Sequence, residues 1–136
     1  MNKETVTSLI NSAVKARNRS YSPYSGFKVG AALLTKSGKV FTGANIESAS
    51  YTPTVCAERV AFFTAVHNGE KEFSAIAVVG GKDTDINSFC PPCGVCRQVM
   101  SEFCTPDFKI ILFDGKNEKL FTLNELLPES FTKSNI

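Results

Sequence analysis

The sequence predicts an α/β fold, with helices packed on both faces of a mixed sheet. Three observations lead there. Amphipathic helical patterns alternate with short apolar runs along the chain. Two of those runs, Ser74–Val79 and Phe108–Phe113, are continuously apolar, as expected of buried strands. Turn-forming residues, including Gly80-Gly81 and Asp114-Gly115-Lys116-Asn117, punctuate the boundaries.

The elements follow in order. From Lys3 to Arg19, Val6, Leu9, Ile10, Ala13 and Val14 recur at helical spacing. After the turn-rich Ser20–Gly26, the runs Phe27–Leu34 and Val40–Thr42 flank Lys36-Ser37-Gly38-Lys39 and read as a hairpin. Thr54–Asn68 has helical composition, starts after Pro53 and meets Gly69, where a left-handed capping residue belongs. Ser74–Val79 is the next strand, and Lys82–Pro92 is a polar loop. A helix then starts near Cys93 and runs through Val95, Val99, Met100 and Phe103 until Pro106 stops it. Phe108–Phe113 and Lys119–Thr122 are the last strands, and Leu123–Leu127 is a short helix before Pro128.

Composition limits what this fold can do. At 136 residues, 43% of them hydrophobic and 21% charged, residues 1–136 make one domain. Such a domain buries roughly two-thirds of its unfolded surface. The net charge of +2 comes from 15 basic and 13 acidic residues with no block of like charge, which argues against binding long nucleic acid. Met1–Ser20 mixes Lys3, Glu4, Lys15 and Arg17 among its apolar residues, so it reads as neither signal peptide nor membrane span, and a cytoplasmic location is expected. Five cysteines is an odd number, and in a reducing compartment such a set more often binds metal or does chemistry than forms disulfides.

Three of those cysteines fall in Phe89-Cys90-Pro91-Pro92-Cys93-Gly94-Val95-Cys96-Arg97-Gln98. Cys90 with Cys93 frames a possible redox dithiol, whereas Cys93 with Cys96 frames a metal-binding pair. Zinc takes thiolates in tetrahedral geometry, and a site with three protein ligands leaves the fourth position for water. Cys56, at the opening of the earlier helix, can supply the third thiolate, so that two helix N-termini converge on one ion. Their dipoles favour the net negative charge that three thiolates leave around a divalent cation.

Two neighbours of Cys56 separate a catalytic site from a structural one. Glu58 is two positions from a ligand, within reach of the fourth coordination site without binding metal, and can take a proton from water and redeliver it to a nitrogen. Arg59, on the same helical face as Cys56, can donate hydrogen bonds to the ligand sulfurs; the plainer alternative is a surface ion pair. Zinc deaminases carry H-x-E followed by P-C-x-x-C, with a three-cysteine version. This chain has Cys56-Ala57-Glu58 and then Pro92-Cys93-Gly94-Val95-Cys96.

Cys56-Ala57-Glu58-Arg59 and Pro92–Gln98 resemble the small, homotetrameric, three-cysteine branch of the cytidine deaminase family. The similarity extends to Phe27–Ala32, Asn45-Ile46-Glu47 and Glu125–Pro128. It implies a three-layer α/β/α sandwich around a five-stranded mixed sheet. It also implies one zinc per subunit on Cys56, Cys93 and Cys96, with Glu58 as proton shuttle in converting cytidine or deoxycytidine to the uracil nucleoside and ammonia. Asn45 and Glu47 would bind the ribose, Ala57 would hold the pyrimidine edge through its backbone, and Phe27 would pack near the base. Tyr51 and Phe131 would complete a site in another protomer, and Gln98 would support the ligand shell.

Plainer roles stand beside these. Asn45 and Glu47 can cap a turn, and Phe27 and Phe131 can be core. Cys104 reads as a buried core residue. His67 suits a helix C-terminus and is too far along its helix from Cys56 to be a ligand. A redox protein using Cys90 and Cys93, and a closed structural zinc module recruiting Cys90, leave Glu58 without a role. A deaminase of a blasticidin-type antibiotic would share the zinc site, but Asn45-Ile46-Glu47 favours ordinary nucleosides. A polynucleotide-editing enzyme would need a positive groove that nothing here supplies.

Overall fold

The computed structural model describes residues 1–136. In chain order the elements are α1 (Lys3–Ala16), β1 (Phe27–Thr35), β2 (Val40–Ala44), α2 (Ala57–His67), β3 (Phe73–Lys82), α3 (Gly94–Phe103), β4 (Lys109–Phe113), β5 (Glu118–Thr122) and α4 (Leu123–Leu126). The five strands form one sheet in the order β2-β1-β3-β4-β5. Only β3 and β4 pair in parallel, with α3 in the crossover between them; β1 with β2, β1 with β3, and β4 with β5 are antiparallel.

Alternate residues of the central strands feed two cores, which explains why the runs are continuously apolar. On one face Ala32, Ala75, Ala77, Val79 and Ile111 meet Val6, Leu9, Ile10 and Ala13 of α1. On the other, Ala31, Leu33, Ile76, Val78, Ile110 and Leu112 meet Ala57, Ala61, Phe62 and Ala65 of α2 and Met100 of α3. The architecture is therefore the expected three-layer sandwich around a five-stranded mixed sheet. No helix is long and apolar enough to cross a membrane.

Phe62 ties α2 to its surroundings. Its ring stacks on Phe103 of α3 at 6.1 Å, meets Phe73 edge-on at 5.2 Å and lies 5.9 Å from Phe108. These contacts lock the two helices that carry the cysteines.

Several boundaries differ from the sequence expectation, and three of them bear on how the site is placed. The helix predicted from Thr54 begins at Ala57, because Val55 exchanges both backbone hydrogen bonds with Ile46 at 2.9 and 3.0 Å. The helix predicted to reach Arg19 becomes a 3-10 turn over Arg17–Arg19. Gly80 and Gly81, expected to bound a strand, lie inside β3. A side chain at Gly81 would bring its Cβ within 1.9 Å of the Asp85 carbonyl oxygen, so this pair marks close backbone approach rather than a turn.

Arg17, one of the charges that interrupt the apolar residues of Met1–Ser20, is only 5% exposed. Its Nε donates to the Lys28 carbonyl at 2.9 Å, and Nη2 reaches the carbonyls of Gly81, Asp83 and Asp85, each at 3.0 Å. The end of α1 is thereby fastened to β1 and to the loop after β3.

Candidate metal centre and active site

Cys56 and Cys93 occupy equivalent places, each the N-cap residue of its helix in extended backbone, with no side-chain capping bond. Both sulfurs therefore stand where unpaired helix N–H groups favour negative charge. Cys96 lies in the first turn of α3 and is buried. The three Sγ atoms lie within 4.8 Å of one another, and Cys56 Sγ is 3.8 Å from Cys93 Sγ. Tetrahedral zinc with bonds of about 2.3 Å holds its sulfurs about 3.8 Å apart. The donor set and its spacing fit one zinc ion. Cys93 is exposed, so the cluster meets solvent on one side.

The charges around the sulfurs are arranged for thiolate. Arg59 Nη2 donates to Cys56 Sγ at 3.4 Å. The Cys56 thiol is held below its ordinary range, chiefly by a hydrogen bond from Cys96 and, against desolvation, by Arg59. That same bond pushes the Cys96 thiol up, so Cys56 is the first of the pair to ionise. Burial disfavours the Arg59 charge, but its bonds to the Cys56 and Cys96 sulfurs outweigh this and raise its pKa.

Glu58, in the first turn of α2, is 4% exposed. Burial pushes its carboxyl up from the ordinary 4.5 to about 7, and the nearby Cys56 charge adds to the shift. A carboxyl in this range both accepts and releases protons near neutral pH.

Cys90 stands apart from the cluster. Burial, with the Glu58 and Cys56 charges adding, pushes its thiol up to about 12. Its Sγ fills the space beside Gly80, where an added Cβ would lie 2.8 Å away. A thiol this reluctant to ionise is a poor redox nucleophile. Cys104, the C-cap residue of α3, packs partly buried on the core, and burial raises its pKa. His67 ends α2.

The segment Asn45-Ile46-Glu47 is laced between Tyr21 and Val55, directly before Cys56. Tyr21 N donates to Asn45 O at 2.9 Å, and Glu47 N donates to Tyr21 O at 2.8 Å. Asn45 Oδ1 accepts from Ser20 Oγ at 2.6 Å and from Val29 N at 2.9 Å, while Nδ2 donates to Phe27 O at 2.8 Å. Glu47 Oε1 accepts from Tyr24 N and Ser25 N at 3.0 and 3.2 Å, and Oε2 accepts from Ser25 Oγ at 2.5 Å. Both side chains brace the Ser20–Val29 segment, and the hydroxyl bond from Ser25 first among several causes keeps the Glu47 carboxyl ionised below its usual range. Ser25 is expected from the sequence only as part of the turn-rich Ser20–Gly26, and its partnership with Glu47 carries no local signal.

The remaining candidates divide by exposure. Ala57 is fully buried at the start of α2, and Phe27 is partly exposed at the start of β1. Tyr51 and Phe131 are 76% and 63% exposed, and Tyr51 holds a left-handed backbone with φ 59°. Gln98 donates to the Phe131 carbonyl at 2.7 Å, its hydrogen bond thus going to the C-terminal segment rather than to the cysteines.

With this geometry in view, similarity to known proteins becomes informative. Residues 3–112 match a family model described as the cytidine and deoxycytidylate deaminase zinc-binding region. A cytidine deaminase of Halalkalibacterium halodurans is 49% identical over 129 residues, covering 94% of this chain and 95% of that protein. A crystal structure of cytidine deaminase from Burkholderia pseudomallei superposes with a TM-score of 0.85 at 44% identity, covering 96% of this chain and all of that one. A blasticidin-S deaminase of Bacillus cereus is 36% identical over 110 residues, 78% of each chain. The chain belongs to the cytidine and deoxycytidylate deaminase family.

Proposed function

We propose that this protein is a zinc-dependent cytidine deaminase, converting cytidine and deoxycytidine with water to uridine and deoxyuridine plus ammonia. The observation that carries this reading is the buried Glu58 carboxyl, raised to about 7, beside three thiols whose spacing fits one zinc ion. A zinc ion on Cys56, Cys93 and Cys96 supplies Lewis acidity that lowers the pKa of a coordinated water to about 7.

Glu58 accepts a proton from the attacking water and passes it to ring N3, then accepts the second proton from the hydroxyl this leaves on C4 and passes it to the departing amine, so it ends the cycle as it began. Arg59 holds Cys56 in its thiolate form and offsets the excess negative charge. Ala57 offers its backbone to the pyrimidine edge, and Phe27 packs near the base. Asn45 and Glu47 bind the ribose hydroxyls; Asn45 Nδ2 keeps one hydrogen beyond that given to Phe27 O.

The chain acts as a single domain, and its assembly is a homotetramer with sites shared between subunits. The high exposure of Tyr51 and Phe131 supports that assignment, since each would complete a pocket in a neighbouring copy. A cytoplasmic location suits three thiols that must stay reduced to hold metal.

The test is the fall in absorbance as cytidine becomes uridine, measured on zinc-loaded protein alongside Glu58→Gln. The variant keeps its zinc and loses most turnover. Near-normal turnover in Glu58→Gln rules out the proton-shuttle role. Turnover of blasticidin S but not of cytidine would move the substrate to the related antibiotic class.

A further inference from the structure

We propose that Gln98 is a positioning residue that presents Phe131 to the active site of a second copy of this chain, with Arg97 anchoring the start of the same segment. The inference rests on the deaminase reading and on sites shared between copies.

Arg97 and Gln98 directly follow the ligand Cys96 on α3, and both reach the C-terminal segment. Arg97 Nε donates to the Pro92 carbonyl at 2.8 Å, one residue before Cys93, and Nη1 donates to the Leu126 carbonyl at 2.7 Å. One guanidinium therefore braces the approach to a metal ligand and caps the last turn of α4. Gln98 Nε2 then holds the Phe131 carbonyl five residues further on, at 2.7 Å.

That single bond matters because of what surrounds it. Residues 128–131 make no backbone–backbone hydrogen bond, and Glu129 takes a left-handed backbone with φ 52°. Without Gln98 the stretch carrying Phe131 has no hydrogen bond to α3, although Phe131 itself stays 63% exposed.

Helix geometry sets the direction. At 3.6 residues per turn, Gln98 lies about 200° around α3 from Cys96, so a group held by Gln98 stands on the far side of the helix from the buried ligand. Val95 and Phe63 are also exposed beside Gln98 and line a surface depression with it. The Phe131 carbonyl is thus held by the side of α3 opposite Cys96, and the exposed Phe131 side chain is open to another copy. The zinc helix of one subunit would set the aromatic wall of the next subunit's pocket.

Gln98→Met keeps length and helix propensity and removes the donor, whereas Gln98→Lys restores one. The expected result for Gln98→Met is unchanged zinc content and kcat with KM for cytidine raised about five- to tenfold, the scale of one lost hydrogen bond. Gln98→Lys recovers most of that loss. Since the chain has no tryptophan, Phe131→Trp adds a single one whose emission can be excited apart from the three tyrosines, and its anisotropy falls when Gln98→Met is added.

Mixed assemblies decide whether the effect crosses subunits. Coassembled Gln98→Met and Glu58→Gln chains contain sites with an intact Glu58 and a well-held Phe131 from the other chain. Roughly one site in four regains the parent's KM if pairing is random. Parent protein in the same assay must turn over cytidine; its failure would remove the deaminase reading itself. With an active parent, an unchanged KM in Gln98→Met, or mixed assemblies showing only the average of the two variants, overturns the positioning role.

Discussion

Gly43→Ala offers a way to move the helix that carries Glu58, the proposed proton shuttle, without changing Glu58 or any cysteine. Gly43 lies in β2, paired with Ala31, where α2 crosses the sheet. A Cβ there would sit 2.4 Å from the Ala57 carbonyl oxygen, 2.6 Å from Ala61 N and 3.0 Å from Val60 Cβ. Ordinary contact begins at 3.4 Å, so the first turn of α2 must retreat by about 1 Å. The obstacle is backbone, which cannot rotate away as a side chain could. Overpacking of this kind costs about 1–3 kcal/mol, equivalent to a melting temperature lower by roughly 3–12 °C in a domain of this size. Glu58 moves with the turn, and a misplacement of about 1 Å at a reacting group can cost about 100-fold in rate. Thermal melting and the cytidine absorbance assay, with zinc content measured on the same sample, check both numbers. A variant within about twofold of the parent in kcat/KM and unchanged in melting temperature would refute the claim that this glycine sets the position of α2.

Three further outcomes are expected. Phe62→Ala removes the ring joining α2 to α3 and costs about 3–5 kcal/mol, with weaker zinc retention during chelator competition; full stability would mean the contact is dispensable. Cys90→Ala keeps zinc and turnover, and the parent Cys90 resists iodoacetamide at neutral pH because its thiol is pushed up to about 12; lost activity would return the redox reading. In zinc-free protein, the raised Glu58 carboxyl favours the fold when protonated. Its contribution, about 3 kcal/mol from a shift between 4.5 and about 7, is full below pH 4.5 and lost as pH rises through 7. Urea unfolding of chelated protein should show this decline and chelated Glu58→Gln should not; parallel pH profiles would contradict it.

Much of this was legible in the sequence because metal geometry is strict. Three thiolates and a carboxylate around one ion need short, fixed local spacings, so Cys56-Ala57-Glu58 and Cys93-Gly94-Val95-Cys96 betray the centre although their first cysteines are 37 positions apart. Continuous apolar runs likewise give the central strands. What local pattern missed depends on distant partners. Val55 has helical neighbours but is claimed by Ile46, which delays α2 to Ala57. Gly80 and Gly81 look like a turn because nothing nearby reveals that Cys90 and the Asp85 carbonyl press on them. Arg17 and Gln98 find their carbonyl partners as many as 68 and 33 residues away, distances over which spacing carries no signal. Asn45 and Glu47 were expected to bind ribose or cap a turn, and their hydrogen bonds within the chain brace the Ser20–Val29 segment.

The most direct test of the account is to load the purified protein with zinc, count metal per chain and measure ammonia and uridine released from cytidine. One zinc per chain and equal amounts of the two products are expected, with both products lost in Glu58→Gln while zinc remains. Fully zinc-loaded protein that releases no ammonia from cytidine or deoxycytidine would contradict it.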